Sequence, residues 1–306
     1  MNPVLSELPL RYQGNTADFG MDTISLGGSL QAKLQSIREA GFTQIMLTAK
    51  DLVNHPDGLQ AAVKAVKSSG LRVTGFQVLR DFEGLSGHLH DYKIDIAKAM
   101  LEMCAALDCK LMLVCSSTST HASSDKQAIV KDLRKLAMLA IPKGIKIAYE
   151  ALSWGRSINA FPQAWDIICE ADMPNLGLGF DSFHMLADNT PLDDIEMLDP
   201  DKVFLVQLAD FMWAEVNTTE ERIDTARHFR VFPGEGVHSK ALAVLVNKLH
   251  KLGYRGDYSF EVFNDDYQQM PLHAVAARAF KSALWLGEEV LRRSVPLPNA
   301  MRLKNF

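Results

Sequence analysis

The 306-residue chain alternates between short apolar runs and longer stretches in which apolar residues recur every three or four positions. Short continuous runs are typical of buried strands, whereas the longer spacing is typical of helices with one buried face. The runs predict eight strands, at residues 22–26, 44–48, 71–78, 111–115, 145–150, 176–181, 203–207 and 258–262. Stretches with helical spacing lie between them, so the chain reads as a series of strand–helix units.

Glycines separate the helical stretches from the strands that follow. Gly41, Gly70, Gly144 and Gly253 each stand directly before an apolar residue, which is the position of a helix-terminating glycine. Strands that alternate with helices imply a parallel sheet, and eight such units favour a closed (β/α)8 TIM barrel. An open doubly wound sheet is the alternative, but no strand is followed by a G-x-G-x-x-G or G-K-[ST] loop.

We therefore predict a single (β/α)8 barrel domain over residues 1–306, with 1–20 and 294–306 as peripheral extensions. The net charge of −5 gives no basic face for nucleic acid or for an anionic membrane. No apolar run reaches the roughly 18–20 residues of a membrane span, and residues 1–20 do not have a signal-peptide pattern. The four cysteines show no C-x-x-C spacing, and we expect reduced thiols in the core of a cytoplasmic protein.

Polar residues with oxygen ligands recur at the ends of four successive predicted strands. These residues are Glu150, Asp181, Gln207 and Glu261. The carboxyl ends of barrel strands converge on one face, where active sites lie. Three carboxylates brought together would repel one another unless a cation held them, and an all-oxygen set suits Mg²⁺ or Mn²⁺. The sequence therefore predicts a divalent metal site; the alternative is that the acids are solvated or pair with arginines.

Longer segments around these positions resemble a known family. They are FQVLRDFEG at 76–84, YEALSWG at 149–155, DSFH at 181–184, RHFRVFPG at 227–234 and EVFND at 261–265. Together they resemble the xylose isomerase-like TIM-barrel superfamily of sugar isomerases and epimerases. Within that superfamily, the segments are most similar to bacterial 3-dehydroshikimate dehydratases.

The resemblance implies a metal-dependent lyase that converts 3-dehydroshikimate to protocatechuate by enolisation and loss of water. The substrate would be a small polyhydroxy-keto acid, and the metal ligands would be the four strand-end residues. His184 is a candidate acid/base, because the ordinary pKa of histidine, near 6.5, suits proton transfer at neutral pH. Alternatively, His184 orients Asp181 or the ion, and Glu150 or Glu261 takes the proton, as resemblance to the epimerases implies.

Basic residues in the two most specific segments are candidates to bind the substrate carboxylate. Arg80 and Arg230 each offer a guanidinium fork, and Arg227 and His228 lie in the same segment as Arg230. For each of them, a structural salt bridge is the alternative. The connection 208–236 that carries three of them is long enough to act as a lid.

Two other functions remain open from the sequence. A ketose isomerase or 3-epimerase would use the same metal site with Glu150 and Glu261 as paired bases, but a neutral sugar needs no arginine clamp. A non-catalytic sugar-acid binding protein would have less reason to keep a full ligand set. Assembly as a homo-oligomer is left open. Lys50 and Ala226 depart from the family pattern within the expected pocket.

Overall fold

A closed barrel of eight parallel strands forms the centre of the computed structural model, which describes residues 16–293. The barrel strands are β1 (Phe19–Asp22), β2 (Gln44–Thr48), β3 (Arg72–Leu79), β4 (Leu111–Cys115), β5 (Lys146–Glu150), β6 (Leu176–Asp181), β7 (Val203–Leu208) and β10 (Tyr258–Phe260). Strand β1 closes the barrel by pairing in parallel with both β2 and β10. The predicted (β/α)8 barrel is thereby confirmed.

Helices follow the strands and cover the barrel. They are α1 (Leu30–Glu39), α2 (Ala49–Val53), α3 (Leu59–Ser68), α4 (Gly87–Ala106), α5 (Lys126–Ala140), α6 (Phe161–Ala171), α7 (Ser182–Ala187), α8 (Thr219–His228), α9 (Ser239–Leu252), α10 (Asp265–Gln269) and α11 (Leu272–Leu284). Their ends follow local chemistry: the Ser29 hydroxyl accepts from the Ala32 N–H at the start of α1, and Gly253 ends α9 with a φ of 109°. No helix within residues 16–293 is long and apolar enough to cross a membrane.

Two predicted segments differ from the structure. The first strand ends at Asp22 instead of beginning there, because the Asp22 carboxylate accepts from the Ile24 N–H and caps a 3₁₀ turn at Thr23–Ser25. The connection 208–236 is also more ordered than expected. It contains the hairpin of β8 (Asp210–Phe211) and β9 (Arg230–Val231), with α8 between the two strands. A Thr218–Glu221 capping box starts α8.

The core is packed on both sides of the barrel wall. Inside the barrel, Met46, Leu113, Ala148 and Leu205 form an apolar cluster below the carboxyl ends of the strands. A larger buried cluster fills the space between strands and helices. Each fully buried leucine or isoleucine stabilises the fold by roughly 1.5–3 kcal/mol, so the strand ends are held on a rigid frame. Three cysteines are buried as predicted, whereas Cys169 is exposed on the outer side of α6.

Candidate metal centre and active site

The four strand-end residues with candidate oxygen ligands meet at the carboxyl end of the barrel. Glu150 ends β5, Asp181 ends β6 and Gln207 lies in β7 beside Asp181, while Glu261 follows β10 directly. All four side chains are buried. The ligand atoms of Glu150, Asp181 and His184 lie within 4.8 Å of one another. The strand ends converge at this rim, so residues more than 100 positions apart in sequence lie together there.

Arg230 in β9 lies among these acids. One of its guanidinium nitrogens, Nη1, is 2.8 Å from Asp181 Oδ2 and 3.0 Å from Glu261 Oε2. The side chain is only 3% exposed, and its Nε donates to the Ala226 carbonyl. Arg230 is thus engaged with the acids themselves, instead of being a free cation waiting for a substrate carboxylate.

Charge is unbalanced at this rim. When ionised, Glu150, Asp181 and Glu261 carry three negative charges against the single positive charge of Arg230, which leaves two. Burial, together with repulsion from Asp181 and Glu261, raises the pKa of Glu150 well above its usual range. Burial also raises the pKa of Glu261, although Arg230 opposes this shift. A divalent cation would supply the two missing positive charges and relieve the repulsion.

His184 stands over Glu150 and Asp181 because α7 places it one turn beyond Asp181. Its Nε2 is 3.6 Å from a carboxylate oxygen of each acid. Its Nδ1 accepts the backbone N–H of Ser153 at 3.1 Å, so the ring proton of the neutral imidazole is on Nε2 and faces the acids. Burial lowers the pKa of His184 to about 4, which favours this neutral form. The geometry therefore favours a histidine that orients the two acids.

The amide of Gln207 fits a metal ligand. Its Oε1 is buried and accepts no hydrogen bond from any residue between 16 and 293. Its Nε2, in contrast, points towards Gln77 Oε1 at 3.4 Å. A buried carbonyl oxygen without a donor is costly, and a cation held by the neighbouring carboxylates would satisfy it. The carboxylates and this amide are therefore candidate oxygen ligands for a divalent ion.

Two polar residues at the rim were missed by the sequence analysis. Asp22, at the end of β1, is fully buried and accepts from Gln77 Nε2 of β3. Cys115 ends β4 beside Glu150, and its Sγ is 3.0 Å from Glu150 Oε2. The signal for Cys115 was available, since it is the last residue of its strand. Asp22 was missed because strand one was predicted to begin there.

A cavity of about 490 Å³ opens above the acids. Its walls include Trp154, whose ring packs edge-on against His184, and Phe263. Three exposed cations, Arg80, Lys50 and Arg227, also line it. None of the three forms an ion pair with another residue in the described range 16–293. The cavity thus has buried carboxylates at its floor and exposed cations along its open part.

His228 does not lie in this cavity. It is partly exposed at the end of α8, and its Nδ1 pairs with Asp265 Oδ2 at 3.0 Å. Of the four basic residues predicted to bind substrate, Arg80 and Arg227 line the open part of the cavity, and Arg230 lies at its floor. His228 instead ties α8 to the start of α10.

Comparison with known proteins identifies a family match and two curated relatives. The family described as xylose isomerase-like TIM barrel matches residues 34–287. A 3-dehydroshikimate dehydratase of Pseudomonas aeruginosa is 38% identical over 90% of this chain, which spans 43% of that relative. An inosose isomerase of Bacillus licheniformis is 29% identical over 67% of this chain and 70% of its own length. The chain therefore spans less than half the length of the dehydratase relative.

Among solved structures, a xylose isomerase-like TIM barrel/4-hydroxyphenylpyruvate dioxygenase fusion protein superposes with a TM-score of 0.83 and 33% identity. The superposition covers 92% of this chain and 45% of the fusion protein. The part of the fusion protein that matches this chain is thus a barrel of the same kind.

Proposed function

Because the chain belongs to the xylose isomerase-like TIM barrel family, we propose that it is a divalent-metal-dependent 3-dehydroshikimate dehydratase that forms protocatechuate. The observation that carries this proposal is the pairing of an oxygen-ligand site with a cationic cavity wall. The strand-end residues would hold a divalent ion that would polarise a ketone, and Arg80 with Arg227 would bind a carboxylate in the same cavity. The dehydratase relative is 38% identical over the 278 aligned residues, which make up 90% of this chain.

In this proposal, Glu150, Asp181, Gln207 and Glu261 hold Mg²⁺ or Mn²⁺. A bound ion of this kind supplies Lewis acidity, which polarises a ketone and stabilises the enolate that forms next to it. Arg80 and Arg227 bind the substrate carboxylate and orient the ring. Trp154 and Phe263 exclude water from one side of the cavity.

The chain itself must move one proton from the carbon beside the ketone. Glu150 and Glu261 both line the cavity, so either carboxylate can accept a proton from a substrate bound there. We assign the proton transfer to one of these carboxylates. His184 keeps its Nε2–H directed at Glu150 and Asp181 and so fixes their orientation. The neighbouring hydroxyl takes up the abstracted proton and leaves as water, and a second ring proton shifts to the ketone oxygen to give the aromatic ring, which drives the reaction forward.

A direct assay tests the proposal. Purified protein is incubated with 3-dehydroshikimate and either Mg²⁺ or Mn²⁺, and the ultraviolet absorbance of protocatechuate is followed. We expect product with a divalent ion and none after chelation. Glu261→Ala should lose activity and metal binding together. Product formation that survives complete metal removal, or turnover of a ketose but not of 3-dehydroshikimate, would contradict the proposal.

A second candidate is an isomerase of a neutral cyclic ketone, because the inosose isomerase relative is 29% identical over an alignment that covers 67% of this chain. Arg80→Met separates the two functions. Loss of a carboxylate clamp should raise the KM for 3-dehydroshikimate at least tenfold, with a smaller change in kcat. Turnover of an uncharged inosose should not depend on Arg80. Lys98→Met, which removes a surface cation of α4, is the matched control.

The role of His184 is tested by His184→Gln. If the histidine orients the acids, the variant should bind Mn²⁺ more weakly and lose activity in parallel. Full metal affinity with lost activity would instead identify His184 as the acid/base.

A further inference from the structure

A series of hydrogen-bonded polar side chains connects three barrel strands at the candidate metal centre. Asp22 ends β1, Gln77 lies near the end of β3 and Gln207 lies in β7. Gln77 Nε2 donates to Asp22 Oδ2 at 2.5 Å, and Gln207 Nε2 donates to Gln77 Oε1 at 3.4 Å. All three side chains are at most 3% exposed, so water does not compete for these contacts.

Asp22 determines which group donates and which accepts in each of these hydrogen bonds. Its Oδ1 accepts the Ile24 N–H at 2.9 Å, and its Oδ2 is the acceptor in the hydrogen bond with the Gln77 amide nitrogen. Gln77 must therefore turn its NH₂ group towards Asp22, and from there the same group also lowers the pKa of Glu261. The carbonyl oxygen of Gln77 is then left facing Gln207.

The same logic fixes the amide of Gln207. Because Gln77 presents an oxygen, Gln207 turns its nitrogen to it, and its own Oε1 points away without a donor among residues 16–293. An amide has one end that can bind a cation and one that cannot. The end that remains free here is the oxygen.

We propose that Asp22 and Gln77 are positioning residues that set the orientation of the Gln207 amide, so that its oxygen is presented to a divalent cation. This inference rests on the proposed function, in which Gln207 is a ligand. Neither Asp22 nor Gln77 is a ligand in it. The Asp22 carboxylate fixes which end of the Gln77 amide faces it, and Gln77 in turn fixes which end of the Gln207 amide faces Gln77.

The substitution Asp22→Asn should reverse the donor and acceptor roles in the hydrogen bonds between residues 22, 77 and 207. The oxygen of the new amide is needed by the Ile24 N–H, so its NH₂ group faces Gln77. Gln77 then turns its oxygen to residue 22 and its nitrogen to Gln207, and Gln207 presents its own NH₂ group to the cation. Mn²⁺ affinity, measured by calorimetry and by electron paramagnetic resonance of free Mn²⁺, should fall about tenfold or more.

The substitution Gln207→Glu provides the decisive comparison. A carboxylate presents an oxygen whichever way its neighbour is turned, so Asp22→Asn should matter little when residue 207 is glutamate. A loss of up to about threefold is still expected, because Gln77 also lowers the pKa of Glu261. The four proteins form a double-mutant cycle in which the removed charge at position 22 is the same in both backgrounds.

Two further variants complete the test. Asp51→Asn removes a nearby charge that contacts Thr23 and Lys33 but not Gln77 or Gln207. This control variant should keep its Mn²⁺ affinity within about threefold of the wild type. Should Asp22→Asn fail to fold, as judged by circular dichroism, Gln77→Met makes the same comparison in the wild-type and Gln207→Glu backgrounds. An equal loss in both backgrounds would overturn the inference. A wild-type protein that binds no Mn²⁺ would overturn the proposed function instead.

Discussion

Arg230 has a different place from the one that its sequence position suggests. It lies in a segment that resembles a substrate-binding motif, yet its guanidinium is buried between Asp181 and Glu261. A buried ion pair contributes little compared with a well-packed apolar core, but removal of one partner leaves the other charge uncompensated. Arg230 therefore counts first as the counter-charge of the acidic centre.

Arg230→Met should destabilise the metal-free protein by about 3–5 kcal/mol, because two buried carboxylates lose their cation. Addition of Mn²⁺ should recover part of this loss, since the ion would balance the same carboxylates. Chemical denaturation with and without chelator measures both effects. Lys67→Met, which breaks the exposed pair with Asp108, is the control, and it should leave the stability almost unchanged.

Glu83 is a buried acid outside the metal centre. Its Oε1 accepts from the Ser117 N–H and the Tyr149 hydroxyl, and burial raises its pKa to about 7. The unfolded chain releases this proton near pH 4.5, whereas the folded protein holds it up to about pH 7. The wild-type protein therefore loses stability from Glu83 as the pH rises through this window.

Glu83→Gln should remove this dependence. The stability of the wild type minus that of the variant should fall by about 3 kcal/mol between about pH 4.5 and pH 8. Urea denaturation of both proteins across this range gives the difference directly. A difference that does not change with pH would mean that Glu83 ionises equally well in the folded and unfolded protein.

At the scale of elements, β6 shows how closely the barrel is packed. A Cβ atom at Gly177 would lie 2.4 Å from the Lys202 carbonyl oxygen, whereas one at Gly179 would meet the movable Leu113 side chain at 3.1 Å. Both glycines belong to the strand that carries Asp181. A backbone carbonyl cannot move away from an added Cβ atom as easily as the end of a side chain can. Substitution by alanine should therefore destabilise the protein more at Gly177 than at Gly179.

Gly177→Ala should cost on the order of 3 kcal/mol, the upper part of the range for overpacked cores. Gly179→Ala, in the same strand, should cost less because Leu113 can move. Thermal unfolding of the two variants ranks them. Equal stabilities would show that the start of β7 shifts freely away from β6.

The connection between β7 and α9 shows what local patterns leave out. Its length suggested a structureless lid, but it folds into a hairpin with the ten-residue helix α8 inserted. The strands β8 and β9 have two residues each, too few for a periodic pattern to show. Arg230, which lies in β9, is consequently fixed at the floor of the cavity instead of on a mobile loop.

At the scale of the whole molecule, the barrel gathers an excess of negative charge into its carboxyl end. Binding of a cation there should stabilise the folded state as a whole, because the unfolded chain has no such site. Mn²⁺ at about 100 times its Kd should add about 2.7 kcal/mol and raise the Tm by on the order of 5 °C.

Differential scanning calorimetry with Mn²⁺ and then with chelator measures this shift. Glu261→Ala should show little or none of it, while the exposed-site variant Lys98→Met should show all of it. A Tm that does not depend on divalent ions in the wild type would contradict a metal centre at this position.

The sequence by itself determined the barrel and the strand-end positions of the four candidate oxygen ligands. Both follow from local properties: apolar runs give strands, glycines end helices, and parallel strands in a barrel must deliver their last residues to one rim. The family resemblance, confirmed by the match over residues 34–287, depends on such local segments as well.

Only the tertiary structure decided how those residues are used. The pairing of Arg230 with Asp181, the ring orientation of His184 and the chain from Asp22 through Gln77 to Gln207 all join different elements. Each depends on which atom of a side chain faces which neighbour across the barrel. That choice is made by buried hydrogen bonds between residues up to 130 positions apart, and no periodicity in the sequence encodes it.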